Sequence, residues 1–136
     1  MLYTKYVGVR MYEYSAEYIS NYDGDTIDFL VDCGFGVYKK ITVRVRGVDT
    51  PEIKTKDSME KKRAKVSKIY TQTELQKAQK IIIRTYKTKT GKDKKSFTRY
   101  IADVIYYLNI DDHLLSFNLC EELIKTDNGK KYKKKS

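Results

Sequence analysis

Hydrophobic and polar positions alternate along most of the first third of the chain. "TKYVGVRMYEYSAEYI" (4–19), "IDFLVDC" (27–33) and "VYKKITVRVRGV" (37–48) are rich in Tyr, Val and Ile and repeat with a period near two. That is the pattern of strands with one face on a core. Asp23-Gly24 and Gly34-Phe35-Gly36 stand between them as turn signals, so three consecutive antiparallel strands are predicted. The period then changes. From Asp57 to about Lys80 good helix formers run without Gly or Pro. Met59, Val66, Ile69, Tyr70 and Thr73 share one helical stripe, whereas Leu75 and Ala78 fall off it, so the helix either packs on two sides or breaks near Thr71 to Thr73. "IIIRTYK" (81–87) and "FTRYIADVIYY" (97–107) read as a hairpin around "TKTGKDKKS". "NLCEELIK" (118–125) opens with a capping box, Asn118 with Glu121, and "TDNG" ends it.

The order β-β-β-α-β-β-α predicts an α+β fold: a small five-stranded OB-fold-like β-barrel with a helix after strand 3 and a C-terminal helix. At 136 residues one domain is expected. No apolar run reaches the length of a membrane span, and the N-terminus lacks the apolar core and cleavage site of a secretory signal. The expectation is a cytoplasmic protein, a monomer, with no membrane partner. Cys33 and Cys120 lie far apart without paired-thiol spacing, and His113 is the single histidine, which argues against zinc and for two unpaired thiols.

Charge narrows the choice of partner. A net charge of +10 points to a polyanion. The basic residues gather in "KTKDSMEKKRAKVSK" (54–68), "KTKTGKDKK" (87–95) and "KKYKKKS" (130–136), beside thirteen tyrosines whose rings can stack on bases. Nucleic acid is the expected partner. To this point the pattern supports binding rather than catalysis.

Chemistry enters with two acidic turns. In "VRVRGVDTPEIK" (43–54), Val43 and Val45 point to one face of a strand and Arg44 and Arg46 to the other. "DTPE" after it can be a helix start, with Thr50 as N-cap, Pro51 first in the helix and Glu52 at the positive end of the dipole. "YDGDTID" supplies Asp23 and Asp25 24 residues earlier. Two carboxylate-bearing turns brought together make an oxygen-rich site suited to Ca²⁺ or Mg²⁺. Arginines alongside suit a phosphate whose charge grows during phosphoryl transfer.

"DGDT" followed by "RVRGVDTPE", a helix and then "FTRYIADV" resembles the staphylococcal nuclease (thermonuclease) family over roughly residues 5–125. The resemblance implies one such domain over 1–129, with 130–136 as a basic tail. It also implies Ca²⁺-dependent hydrolysis of DNA and RNA with little sequence preference, on single-stranded or locally unpaired substrate, with Mg²⁺ as an alternative ion. Asp25, Asp49 and the Thr50 carbonyl would be the metal ligands, and Asp23 would support them from behind. Glu52 would orient or deprotonate the attacking water, and Arg44 and Arg99 would hold the scissile phosphate. Phe97, Lys94 and Lys95 would contact substrate. The family often has Asp-x-Tyr-Gly-Arg at the last arginine, where this chain has Lys95, Phe97 and Thr98 before Arg99. Two alternatives stand beside this reading. One is a catalytically inactive OB-type module that binds single-stranded nucleic acid. The other is a PD-(D/E)xK nuclease using Glu52 and Lys54, which Pro51 disfavours in a strand interior.

Overall fold

A computed structural model describes residues 10–87, 95–96 and 99–132. Expectations for the first residues of the opening strand, for Lys94, Phe97 and Thr98 and for the last four residues fall outside that range, as does the side chain of Lys95. The three opening strands form as predicted: β1 (Arg10–Asn21), β2 (Thr26–Asp32) and β3 (Tyr38–Val45), paired antiparallel in that order. Ile27, Phe29 and Val31 of β2 and Val43 and Val45 of β3 face the core. A two-residue β4 (Val48–Asp49) leads to α1 (Ser58–Lys77). Then come β5 (Lys80–Lys87), β6 (Lys95–Ser96), β7 (Arg99–Ile110), β8 (His113–Asn118), α2 (Leu119–Lys125) and β9 (Lys130–Lys131).

The protein is α+β, with a mostly antiparallel sheet and two helices. Hydrogen bonding runs β3–β2–β1–β5–β7, and Val43, Arg44 and Val45 of β3 also pair in parallel with Tyr100, Ile101 and Ala102 of β7, so the path returns to its first strand. Inside it lie Phe29, Ile83, Val104 and Tyr106, closed by Leu75 of α1 and by Leu119 and Leu123 of α2. Each fully buried aliphatic or aromatic side chain of this kind contributes about 1.5–3 kcal/mol. Both cysteines are free, and among the described residues no helix is long and apolar enough to cross a membrane.

Three expectations are corrected. Helix α1 begins where the run of helix formers from Asp57 predicts, and the other start offered by the sequence, at Thr50, is not used. Its N-cap is Asp57, whose Oδ1 accepts from the amides of Met59 at 3.0 Å and Glu60 at 3.3 Å. The Thr50 amide is directed instead to Asp25 Oδ2. Second, α1 buries Ala64, Ser67, Thr71 and Leu75, while Met59, Val66 and Ile69 are exposed. The helix neither breaks nor packs on two sides over its large residues; it approaches the β1–β2 turn so closely that small side chains fill the contact. Third, strands beyond five occur, above all β8, which pairs with β7 across Asp111 and Asp112. Both aspartates have left-handed backbone (φ 51° and 65°), the geometry of a tight hairpin turn.

Candidate active site

The turn between β1 and β2 is built on its own carboxylate. Asp23 is 5% exposed, and its Oδ1 accepts from the amides of Asp25 at 3.0 Å and Thr26 at 2.8 Å. An aspartate that bonds the backbone two residues on is a local turn former. Helix α1 is fastened to the same turn: Thr71 Oγ1 donates to the Gly24 carbonyl at 2.7 Å, and Asn21 Nδ2 donates to the carbonyls of Asp23 and Lys68. Gly24 is required for space rather than for a left-handed backbone. A Cβ there would stand 2.1 Å from Ser67 Oγ and 2.7 Å from Thr50 Cγ2.

The second acidic turn meets the first at Asp25. Its Oδ2 accepts from the Thr50 amide at 3.1 Å and lies 3.3 Å from Arg44 Nη1. Arg44 Nη2 pairs with Asp49 Oδ1, and Nη1 also donates to the Val48 carbonyl at 3.1 Å. One guanidinium therefore spans a carboxylate from each turn. Asp25 is 6% exposed while the Asp49 side chain is half exposed, so the pair reaches from the interior to solvent. Burial and the neighbouring Asp23 push the Asp25 carboxyl up to about 6, against the opposing pull of Arg44 and the Thr50 amide.

The structure brings together Asp23, Asp25, Arg44, Asp49 and Thr50, and places Arg99 next to them, with Nη1 3.4 Å from Thr26 Oγ1. Glu52 is not drawn into this cluster. It is exposed, its amide donates to Glu60 Oε1 at 3.5 Å, and among the described residues its carboxylate has no contact with Asp25, Asp49 or Arg44. Lys95 lies in β6, opposite Tyr100 of β7. A cleft of about 500 Å³ opens beside Asp49, Thr50 and Pro51, walled by Glu60 and Arg63 of α1 and by residues 127–130.

The C-terminal segment, read in the sequence as a tail, also belongs here. Lys130 and Lys131 pair with Asp49 and Val48. The Tyr132 amide donates to the Gly47 carbonyl at 3.0 Å, and the Tyr132 ring lies 5.5 Å from the Arg44 guanidinium. An aromatic residue inside a lysine run was the one available signal. Asp103 is a second omission: it is 7% exposed and ion-paired with Arg46 at 3.0 Å. Its mark in the sequence is a carboxylate within an otherwise apolar strand, "YIADVIYY".

The residues present fit a hard divalent cation. All the candidate donors are oxygens, the Asp25 carboxylate is short of neutralising charge even beside Arg44, and buried Thr50 Oγ1 has no hydrogen-bond partner among the described residues. Among those residues no group of three or more His, Cys, Asp or Glu side chains is gathered as a ready-made metal cage. The donors this site could offer are two carboxylates and backbone oxygen. No protein-family model and no curated protein matches the chain.

Proposed function

We propose that this protein is a metal-dependent phosphodiesterase of the staphylococcal nuclease type, hydrolysing DNA and RNA with little sequence preference and using Ca²⁺, with Mg²⁺ as the alternative. One observation carries the reading: Arg44 bridges Asp25 and Asp49, so carboxylates and a phosphate-binding cation from two distant turns share one point on the surface. The returning strand path supports the same reading, since it fits a small five-stranded OB-like barrel with α1 inserted after β3.

In this proposal Asp25, Asp49 and the Thr50 carbonyl hold the ion, and Asp23 keeps the turn in shape. The bound ion supplies Lewis-acid polarisation of a phosphoryl oxygen and neutralises phosphate charge. Arg44 and Arg99 would bind the scissile phosphate and stabilise the negative charge that grows on it, beside the ion that Asp25, Asp49 and the Thr50 carbonyl would hold. Glu52, on an exposed loop beside the cleft, orients or deprotonates the attacking water. The substrates are single-stranded or locally unpaired DNA and RNA, bound by a monomer.

The second reading is a binding module without turnover, favoured by the lack of a hydrogen bond or ion pair between the Glu52 carboxylate and the cluster among the described residues. Incubation with single- and double-stranded DNA and with RNA, in Ca²⁺, Mg²⁺ or chelator, separates the two. Cation-dependent cleavage is the expected result; binding without cleavage under every condition overturns the proposal in favour of the module.

A further inference from the structure

Two residues beyond Arg44, in the turn that follows β3, stands Arg46. Its surroundings differ from those of Arg44. Nε donates to Asp103 Oδ1 at 3.0 Å, Nη2 lies 3.4 Å from the Tyr86 hydroxyl, and the guanidinium carbon sits 4.4 Å from the centre of the Tyr86 ring. The Tyr86 hydroxyl in turn donates to Asp103 Oδ2. The turn after β3 and strands β5 and β7 thus each supply one member of a closed set, and the Arg46 amide is tied to the Ala102 carbonyl at 2.9 Å.

A buried carboxylate needs a partner, and that need accounts for the ion pair. It does not account for the form of the cation. The guanidinium is fixed edge-on by Asp103 and Tyr86 and face-on by the ring, yet the Arg46 side chain remains 48% exposed. The Tyr86 ring lies against the guanidinium, and about half of the Arg46 side chain is left to solvent. The charge of Arg46 is already matched by Asp103, so a phosphate finds little net charge here, whereas a flat ligand gains a held guanidinium to stack on at little cost in side-chain entropy.

We propose that the Arg46–Tyr86 stack, held by Asp103, is a nucleobase platform: it takes one unstacked base of a single-stranded nucleic acid, about one nucleotide away from the phosphate at Arg44. Unpaired bases are commonly held on aromatic rings and on arginine planes, and such stacking tolerates any sequence. This assignment rests on the nucleic-acid reading of the Arg44 site and adds to it a base-contacting position that sets which strand form is preferred.

The test is binding without cleavage. Fluorescence anisotropy in chelator measures the affinity of a hexathymidylate and of six analogues, each lacking one base. In the parent protein one analogue should bind about fivefold to a hundredfold more weakly than the rest. In Arg46→Ala that position-specific penalty should vanish, with overall affinity lowered to match. Arg46→Lys keeps the charge and loses the plane; it should behave like Arg46→Ala, and full rescue by lysine would replace the platform with a phosphate contact. Tyr86→Leu should also erase the penalty, and melting temperatures of all variants guard against simple unfolding. An identical six-analogue profile in parent and Arg46→Ala, with both proteins folded, overturns the platform but leaves the Arg44 reading standing. No binding of the hexathymidylate by the parent overturns both.

Discussion

The Thr50 amide donates to Asp25 Oδ2 at 3.1 Å, tying the second acidic turn directly to the first. The bond explains why "DTPE" does not open the helix. A backbone N–H committed to a buried carboxylate fixes Thr50 in the site, and the chain travels six more residues before Asp57 caps α1. It also leaves Asp25 as the most electrically constrained group of the cluster.

A pH dependence follows. The Asp25 carboxyl is raised from an ordinary 3.8 to about 6 in the fold, so ionising it is harder in the native than in the unfolded chain. Its effect on stability is most favourable below pH 3.8 and is lost as pH rises towards about 6, after which the penalty is constant at about 3 kcal/mol. Asp25→Asn should therefore be more stable than the parent at pH 8 by up to that amount in chelator, and should converge with it near pH 4. Excess Ca²⁺ should stabilise the parent and not the variant, which should also lose cation-dependent cleavage. Urea unfolding at several pH values, with and without Ca²⁺, measures all of this; a variant less stable than the parent at pH 8 would contradict the assignment.

Gly24 offers a packing test. A methyl group there meets Ser67 Oγ at 2.1 Å, so Gly24→Ala should destabilise by about 1–3 kcal/mol through overpacking. Ser67→Ala, which removes the obstructing oxygen, should recover part of the loss in the double variant, because the two changes share one contact. Additive losses in thermal unfolding would mean that α1 does not lie against the turn in this way.

The same contact shows what the sequence could and could not convey. Strands β2 and β3 were legible because one face of each is buried and period-two alternation follows from that burial. Helix α1 was legible as a helix, but its buried face was misassigned: Met59, Val66 and Ile69 form the larger apolar stripe, and only the close approach at Gly24 makes Ala64, Ser67 and Thr71 the inward set. Strand β8 was hidden because Asp111-Asp112 is a weaker turn signal than Asp-Gly and Leu114 and Leu115 face solvent. Asp25, Asp49 and Arg44 could be named from local motifs. The placement of Tyr132 on Arg44 could not, because a two-residue strand leaves no periodicity to read.

The strand register separates Arg44 from Arg46. Arg44 lies opposite Thr26 and bridges the two acidic turns, whereas Arg46 is bound by Asp103. Arg44→Ala should lower turnover at saturating substrate by about two orders of magnitude or more, as expected for the loss of a preorganised charge donor. Arg46→Ala should cost much less, with the loss falling on KM. Equal losses in kcat would contradict the distinct roles drawn from these two environments.

The basic C-terminus should act in two parts. A protein ending at Tyr132 keeps β9 and loses Lys133, Lys134 and Lys135, so its dependence of log K on log salt should flatten by up to about 0.9 for each lysine that meets duplex phosphate. A protein ending at Gly129 also loses the partner strand of Asp49 and the ring on Arg44, and should lose turnover in addition. Unchanged turnover in the shorter protein would show that β9 has no part in holding the site.

Glu52 decides between enzyme and binding module. The location of the Asp57 cap removes its alternative role as a helix-start residue, since the acidic side chain in the first turn of α1 is Glu60. Glu52 itself is exposed, and among the described residues its amide alone is engaged, so Glu52→Gln should leave the melting temperature essentially unchanged. As the group that orients or deprotonates the attacking water, it acts on the chemical step, where a positioned proton acceptor contributes about 10² to 10⁴ in rate. The substitution keeps size and hydrogen bonding and removes the proton acceptor together with a negative charge near the phosphate. Binding of single-stranded DNA should therefore be equal to or slightly tighter than in the parent, while the single-turnover cleavage rate falls by at least about a hundredfold. Undiminished single-turnover cleavage by this variant would take Glu52 out of the reaction and leave the chemistry to the Asp25, Asp49 and Arg44 cluster alone.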